Sequence, residues 1–153
     1  MEYGGTKLWM NVPQLKSFEP VVENSIAGPG WIVIQRRVKG SCDFNRNETE
    51  YEDGFGTKKG DFWLGLEKIH LITSHQRHEL YVHIVDFDGN SHYAKYENFV
   101  VGSRQEQYML KSLGHYSGDA NDMMRLSEGK AFSVGMKAYN SGWWWMLKAK
   151  PTW

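Results

Sequence analysis

A tight turn between two alternating segments is the sequence feature that most restricts the fold of this chain. Residues 79–87 alternate in the manner of a β-strand, whose successive side chains point to opposite faces. One face carries Leu80, Val82 and Ile84, and the other carries Tyr81, His83 and Val85. Asp88-Gly89 follows, a dipeptide that favours a hairpin turn, and residues 92–96 return as the partner strand. The sequence therefore predicts an antiparallel hairpin.

The segments around this hairpin predict an α+β fold. Gly28-Pro29-Gly30 favours a turn, and residues 31–37 follow as a largely buried strand. Two short helices are predicted next, one beginning near Asn45 and one capped by Asp61 and running through Leu64, Lys68 and Leu71. Weaker strand patterns lie at residues 98–101 and 107–110. This order predicts a mainly antiparallel twisted sheet with short flanking helices.

Charge and hydropathy exclude two classes of partner. The 153 residues include 18 Lys and Arg and 18 Asp and Glu, so the formal net charge is zero. A neutral protein has no long-range attraction for phosphate backbones or anionic lipids, which argues against nucleic-acid binding. Apolar runs stay far below the roughly 20 residues that span a bilayer, so we expect no membrane insertion. The first five residues show no signal-peptide pattern.

No catalytic or metal-binding motif stands out. Cys42 is the single cysteine, so an internal disulfide is impossible, and no positioned base accompanies the thiol. Asp86, Asp88, Asn90 and Glu97 imitate the ligand spacing of an EF-hand. However, Ser91 stands where that calcium loop requires glycine, and strands rather than helices flank it. We therefore predict that the protein is not an enzyme and that this turn binds no metal.

The sequence resembles the fibrinogen C-terminal-like domain family. The resemblance is carried by residues 30–37 (GWIVIQRR), 43–46 (DFNR), 51–56 (YEDGFG), 61–70 (DFWLGLEKIH), 94–96 (AKY) and 116–119 (YSGD). Their order and spacing over residues 28–119 make the match specific. It implies one domain over residues 1–153, with a core at 28–119 and a degenerate C-terminal subdomain at 120–153.

The resemblance also implies a function. Members of the family are typically secreted, non-catalytic recognition modules that bind acetylated sugars in innate defence or act in adhesion and signalling. The expected partners are therefore acetylated glycans or cell-surface proteins, in an extracellular location, and the sequence leaves oligomerisation open. The alternative is a degenerate structural or protein-interaction remnant that binds neither small ligands nor calcium.

The C-terminal third departs from the family pattern. Residues 134–139 (VGMKAY) stand where the family has an acidic calcium loop, and they contain no carboxylate. The disulfide cysteines of the family are missing at both ends. A segment that normally completes the ligand pocket is missing between residues 140–145 and the final segment 146–151. We therefore expect no calcium cofactor.

The candidate ligand-binding residues are aromatic. Tyr139, Trp143, Trp144 and Trp145 lie in the segment that resembles the pocket region of the family. Aromatic faces can hold a methyl group and stack on a sugar ring. The alternative is that these tryptophans fill the core, because aromatic residues are buried more often than they bind ligands. Separately, Asn47-Glu48-Thr49 is a glycosylation acceptor pattern at Asn47.

Overall fold

The predicted hairpin forms the centre of the fold. The structure of the protein is a computed structural model that describes residues 12–15, 18–134 and 142. It has two α-helices, Glu48–Asp53 (α1) and Leu66–His75 (α2), and short 3-10 helices at Arg104–Glu106 and Met124–Ser127 in this part of the sequence. Its strands are Val22–Glu23 (β1), Trp31–Ile32 (β2), Gln35–Arg36 (β3), Phe55–Gly56 (β4), Phe62–Trp63 (β5), Leu80–Val85 (β6), Ser91–Tyr96 (β7), Val100–Val101 (β8), Leu110–Ser112 (β9) and Tyr116–Gly118 (β10).

Within the described residues, the strands form small antiparallel sheets, which confirms the predicted α+β class. The largest ladder joins β6 to β7, from the pair Leu80 and Tyr96 to the pair Val85 and Ser91. β10 pairs with the other side of β7, so the strand order is β10-β7-β6. A second sheet has the order β3-β5-β4, while β1 pairs with β2 and β8 pairs with β9.

The turn between β6 and β7 is held by one carboxylate. Asp86 accepts hydrogen bonds from the backbone N–H groups of Asp88 at 2.9 Å and Asn90 at 2.8 Å. Gly89 takes a φ of +85°, which glycine adopts readily. Glu97 follows the far end of β7, about 20 Å along a strand of this length. The EF-hand spacing in the sequence therefore belongs to a hairpin turn.

Helix α1 begins later than the sequence pattern predicts, and it is capped by Asn47 instead of Asn45. The Asn47 side chain accepts from the Glu50 backbone N–H at 2.9 Å, and the Glu50 carboxylate accepts from the Asn47 N–H at 3.0 Å. This reciprocal capping box satisfies two donors that a helix N-terminus otherwise leaves unpaired. Gly54 ends the helix as predicted, with a φ of +96°.

The prediction that Asp61 caps the second helix is wrong. Its buried carboxylate instead accepts backbone N–H groups of the β3–α1 loop, from Val38 at 2.8 Å and from Lys39 and Ser41 at 2.9 Å each. Three backbone donors compete better for this carboxylate than a helix start does. These hydrogen bonds hold the pKa of Asp61 below its usual value. Leu64 consequently precedes α2, which begins at Leu66 after Gly65.

Two predicted strands are shorter or displaced. The predicted strand 31–37 is divided into β2 and β3, because its halves pair with different neighbours, β1 and β5. The weak strand pattern at 107–110 is displaced to β9, since Gln107 and Tyr108 have φ of +54° and +48°, which a strand does not accommodate.

The core lies between α2 and the sheets. Tyr51, Leu66, Ile69, Tyr96, Val101, Leu110 and Leu113 are among its most deeply buried side chains. Residues beyond 119 also join it, since Met124 is buried at 6% exposure. The Tyr96 hydroxyl donates a hydrogen bond to the Asp122 carboxylate at 2.9 Å. Burial is the larger cause, and this hydrogen bond the second, of the raised pKa of Tyr96. The segment after β10 is thereby attached to the hairpin.

Candidate functional site

Of residues 139–145, which contain the predicted aromatic site, the structure describes Gly142 alone. Tyr139, Trp143, Trp144 and Trp145 lie outside the described residues, so their assignment to a ligand pocket stays a prediction. Gly142, immediately before the three tryptophans, is described and buried. Its contacts define where this segment meets the rest of the domain.

Gly142 contacts the hydroxyl of a core tyrosine. The Gly142 backbone N–H donates to the Tyr51 hydroxyl oxygen at 2.9 Å, and that hydroxyl donates to the Phe44 carbonyl oxygen at 2.7 Å. Tyr51 is only 1% exposed. Because one hydroxyl serves both partners, removing it leaves two buried backbone groups without this hydrogen bond.

The rings around Gly142 form an aromatic cluster, defined here as Tyr51, Trp63 and Phe132. Ring centroids lie 5.7 Å apart for Tyr51 and Trp63, 5.4 Å for Tyr51 and Phe132, and 6.0 Å for Trp63 and Phe132. A Cβ added at Gly142 would approach ring atoms of Phe132 and Tyr51 to 2.9 Å. The segment that carries the candidate ligand-binding residues therefore contacts the core at Gly142, where any residue other than glycine would displace the ring of Phe132 or Tyr51.

A concave feature lies beside α2. We call it the edge groove: a cleft of about 610 Å³ between the extended segment 31–38 and the strand β6 with its preceding residues 77–79. Its apolar lining includes Ile34, Ile69, Ile72, Leu80 and Phe99. Charged side chains also line it, namely Glu23, Arg36, Arg37, Arg77 and Glu79. An apolar floor with a few charged groups is typical of a binding cleft.

Aromatic rings border the edge groove on the outer face of the hairpin. Tyr81 stacks on Tyr93 with centroids 5.3 Å apart and an interplanar angle of 3°, and Trp31 lies 5.5 Å from Tyr81. Burial, with a smaller contribution from Tyr93, raises the pKa of Tyr81. Tyr93 remains 37% exposed, so this face of the sheet presents aromatic surface to solvent.

Asn47 is exposed to solvent while it caps α1. Asn47 and Thr49 of the acceptor pattern are both exposed. The cap uses the Asn47 side-chain oxygen as acceptor, whereas a glycan is attached to the amide nitrogen. Capping and glycosylation are therefore compatible at this residue.

The described residues contain neither a cluster of metal-ligating side chains nor a helix that could span a membrane. Over residues 12–15, 18–134 and 142, no three His, Cys, Asp or Glu side chains meet as a metal site. Neither described helix is long and apolar enough to cross a bilayer. Residues 135–139, where the calcium loop of the family is expected to be absent, lie outside the described residues, so that expectation stays a prediction.

Sequence reasoning misses the edge groove. Its two walls are segments about 45 positions apart in the sequence, and neither carries a motif of its own. The only local signal is the pair Arg36-Arg37 at the end of a predicted strand. Pairs of arginines are common on protein surfaces, so this pair does not predict that β6 lies opposite residues 31–38.

These features define an α+β globe domain with a central antiparallel hairpin, and comparison with known proteins gives its family. The family of the fibrinogen beta and gamma chains, C-terminal globular domain, matches residues 5–144. The protein belongs to this family, which confirms the resemblance found in the sequence. Fibrinogen C-terminal domains are not enzymes, so the protein is of a non-catalytic class.

Relatives and solved structures agree with this assignment. The protein is 46% identical over 100 residues to bovine fibrinogen-like protein 1, covering 63% of this chain and 32% of the relative. The fibrinogen-like globe domain of human ANGPTL2 superposes with a TM-score of 0.84 at 32% identity, over 92% of this chain and 70% of that one. A lamprey fibrin D-dimer complexed with the peptide Gly-His-Arg-Pro-amide gives 0.74 at 31% identity, over 84% and 49%. The chain spans about a third of the length of the curated relatives it matches.

Proposed function

We propose that this protein is an extracellular recognition module that binds acetylated sugars through the aromatic segment following Phe132. The observation that carries the proposal is the anchoring of Gly142 to Tyr51 and Phe132. This contact holds Gly142, the residue that precedes Trp143, Trp144 and Trp145 in the sequence, against the aromatic cluster. A binding site on such a support loses less conformational entropy on binding than a free loop does.

The extracellular role is supported by family membership and by the exposed acceptor asparagine Asn47. The lamprey fibrin D-dimer is complexed with a peptide, which supports polypeptides as a further class of partner. We include cell-surface proteins among them because angiopoietin-related protein 6 and angiopoietin-4 are relatives of this chain. We also propose that sugar binding is independent of calcium, because residues 134–139 offer no carboxylate to the ion.

The alternative is a protein-interaction remnant that holds no small ligand. The burial of Gly142 beside Tyr51, Trp63 and Phe132 favours this alternative, because the residue that immediately precedes the tryptophans in the sequence already lies in the core. In that case the tryptophans fill space that the missing segment leaves open.

Affinity chromatography on an immobilised N-acetylated sugar separates these functions. The parent protein should be retained with calcium and with chelator alike, and free N-acetylated sugar should elute it. Trp144→Ala and Trp145→Ala, made separately, should reduce retention while the unfolding transition of each variant is unchanged. Passage of the parent without retention, together with loss of folding in both variants, would favour the remnant.

A further inference from the structure

Positive charge gathers where the segment after β3 meets the turn between β4 and β5. The two segments are residues 36–41 (RRVKGS) and 57–61 (TKKGD), and they carry five Lys or Arg side chains and one carboxylate. We call Arg36, Lys39, Lys58 and Lys59 the basic patch. Its three lysines are exposed and Arg36 is half-buried. Because the sequence as a whole is neutral, the basic patch is a local excess of positive charge.

Hydrogen bonds hold the two segments together. Arg36 of β3 lies opposite Phe62 of β5, and its guanidinium is 5.5 Å from the centroid of the Phe62 ring. The same guanidinium donates to the carbonyl oxygens of Lys58 at 2.9 Å and Gly60 at 3.3 Å. The Gly60 N–H donates to the Thr57 carbonyl oxygen at 3.0 Å and closes the turn. The patch therefore stands on an ordered backbone, which lowers the entropic cost of binding a ligand.

The carboxylate within these segments is already engaged. Asp61 is 2% exposed, and its oxygens accept three backbone N–H groups of the loop after β3. Glu19 approaches the patch through its carbonyl oxygen, which accepts from the Lys58 ammonium group at 2.8 Å. No carboxylate within residues 12–15, 18–134 and 142 forms an ion pair with a cation of the basic patch. An external anion therefore meets no competing carboxylate there.

The composition of the rest of the chain leaves this excess in place. Residues 1–11, 16–17, 135–141 and 143–153, which lie outside the described residues, contain five lysines and a single acidic side chain, Glu2. Even with Glu2 beside it, the basic patch would keep an excess of positive charge.

The surroundings of the patch favour a linear sulfated polymer over other polyanions. Its cations are spread over two exposed turns, so they suit charges that recur along a chain better than one small anion. The Phe62 ring beside them is 5% exposed and cannot stack on the bases of a nucleic acid. Val38, 71% exposed, is the one large apolar side chain that these segments expose, which is too little to insert into a lipid surface.

We propose that the basic patch binds sulfated polysaccharide chains, in which sulfate groups recur along a linear sugar polymer. Arg36 uses its Nη1 atom for the two carbonyl oxygens, which leaves the N–H groups of Nε and Nη2 for a sulfate. The ammonium groups of Lys39, Lys58 and Lys59 would contact further sulfates as point charges.

This proposal rests on the extracellular location proposed above, where sulfated polysaccharides are abundant polyanions, but it uses residues other than the tryptophan segment. The two sites can fail separately, because retention on an N-acetylated sugar does not involve the basic patch and binding of sulfate does not involve Trp144 or Trp145. A protein that binds the sulfated chain and not the acetylated sugar would keep the basic patch and refute the acetyl-binding function alone.

Fluorescence anisotropy with a labelled heparin hexasaccharide tests the proposal on the full protein. The matched probe is the same hexasaccharide after removal of its sulfate groups, which keeps the sugar backbone and the carboxylates. Excess free N-acetylglucosamine is present throughout, so that it occupies the proposed aromatic site. The sulfated probe should bind at least about tenfold more tightly than the desulfated one, and its affinity should fall about tenfold or more between roughly 50 and 200 mM salt, because several ion contacts release counterions.

Neutralising the lysines of the patch identifies the surface. The triple variant Lys39→Gln, Lys58→Gln and Lys59→Gln should weaken binding of the sulfated probe about thirtyfold, at about threefold for each exposed ion contact. Lys58 also donates to the Glu19 carbonyl oxygen, so the double variant Lys39→Gln and Lys59→Gln is measured beside it. These two ammonium groups form no ion pair within the described residues, so the double variant should weaken binding about tenfold with an unchanged unfolding transition.

A second triple variant with the same change of charge is the control. Arg104→Gln, Lys111→Gln and Lys130→Gln remove three exposed cations around β8 and β9. This variant should bind the sulfated probe within about threefold of the parent, because none of the three belongs to the basic patch.

Other polyanions give different results, and each would overturn the proposal. Equal or tighter binding of a single-stranded oligothymidine, of polyglutamate or of vesicles containing phosphatidylserine would assign the basic patch to a nucleic acid, an acidic polypeptide or a lipid surface. Equal binding of the hexasaccharide before and after desulfation would show that sulfate is not recognised. Parent-like binding by the triple patch variant, or no binding of the sulfated probe at millimolar concentration, would remove the patch as its site.

Discussion

Removing the Tyr51 hydroxyl tests the hydrogen bond that joins the core to Gly142, the residue before the candidate ligand-binding tryptophans. In Tyr51→Phe the ring still fills its space, but the Phe44 carbonyl and the Gly142 N–H each lose a hydrogen bond, of 2.7 and 2.9 Å. The Phe44 carbonyl keeps the hydrogen bond that it accepts from the Arg46 N–H at 3.0 Å, so the loss is a net contribution of roughly 0.5–1.5 kcal/mol for each of the two bonds, or about 1–3 kcal/mol in all. For a domain of this size, a loss of that order lowers the melting temperature by about 2–12 °C.

The assay is thermal and urea unfolding followed by tryptophan fluorescence. Tyr93→Phe is the matched control, because Tyr93 is 37% exposed and its hydroxyl makes no hydrogen bond within the described residues. It should change stability by less than about 0.5 kcal/mol. A loss of stability in Tyr51→Phe no larger than in this control would show that the contact of Gly142 with the core does not depend on the Tyr51 hydroxyl.

Glycine substitutions, acid unfolding and secretion test other parts of the fold. Gly118→Ala should lower the free energy of unfolding by roughly 3 kcal/mol, because the new Cβ would lie 2.2 Å from the Tyr93 carbonyl oxygen of β7. Gly129→Ala, which has open space around it, should lower it by about 1 kcal/mol, as chemical denaturation would show. Asp61, whose pKa is lowered by backbone N–H groups, should stabilise the fold above about pH 4 and lose that effect as pH falls through its folded pKa. The stability gap between the parent and Asp61→Asn should therefore narrow in acid, and a gap independent of pH would contradict this assignment. When the protein is expressed through a secretory route, Asn47 should carry a glycan that Thr49→Ala abolishes without lowering the melting temperature, as mass spectrometry and calorimetry would show.

The fold is predictable from the sequence where the signal is local. The hairpin follows from strict alternation and the Asp88-Gly89 turn, and both predicted strands agree with β6 and β7 within one or two residues. The sequence assigns Asp61 to a helix cap because an Asp before an apolar run is a good cap. In the structure, its three hydrogen-bond donors come from a loop 20 to 23 residues earlier in the sequence. Tertiary hydrogen bonds of that kind leave no trace in the local pattern.

The site is less predictable for the same reason. The aromatic segment can be proposed from sequence because its residues are adjacent, but its contact with Tyr51 spans 91 positions. The edge groove forms because residues 31–38 come to lie opposite β6, about 45 positions later in the sequence. Pairing of strands distant in sequence is not encoded in any one segment.

The proposed sugar site can be tested by backbone NMR of the isotopically labelled protein during a titration with N-acetylglucosamine. The Gly142 amide and tryptophan indole signals should show saturable shifts, with calcium present or absent. The amides of Tyr81 and His83, which line the edge groove, should not shift, because the proposed sugar site uses a different segment. A Gly142 amide that does not shift at millimolar sugar would rule out sugar binding at this segment.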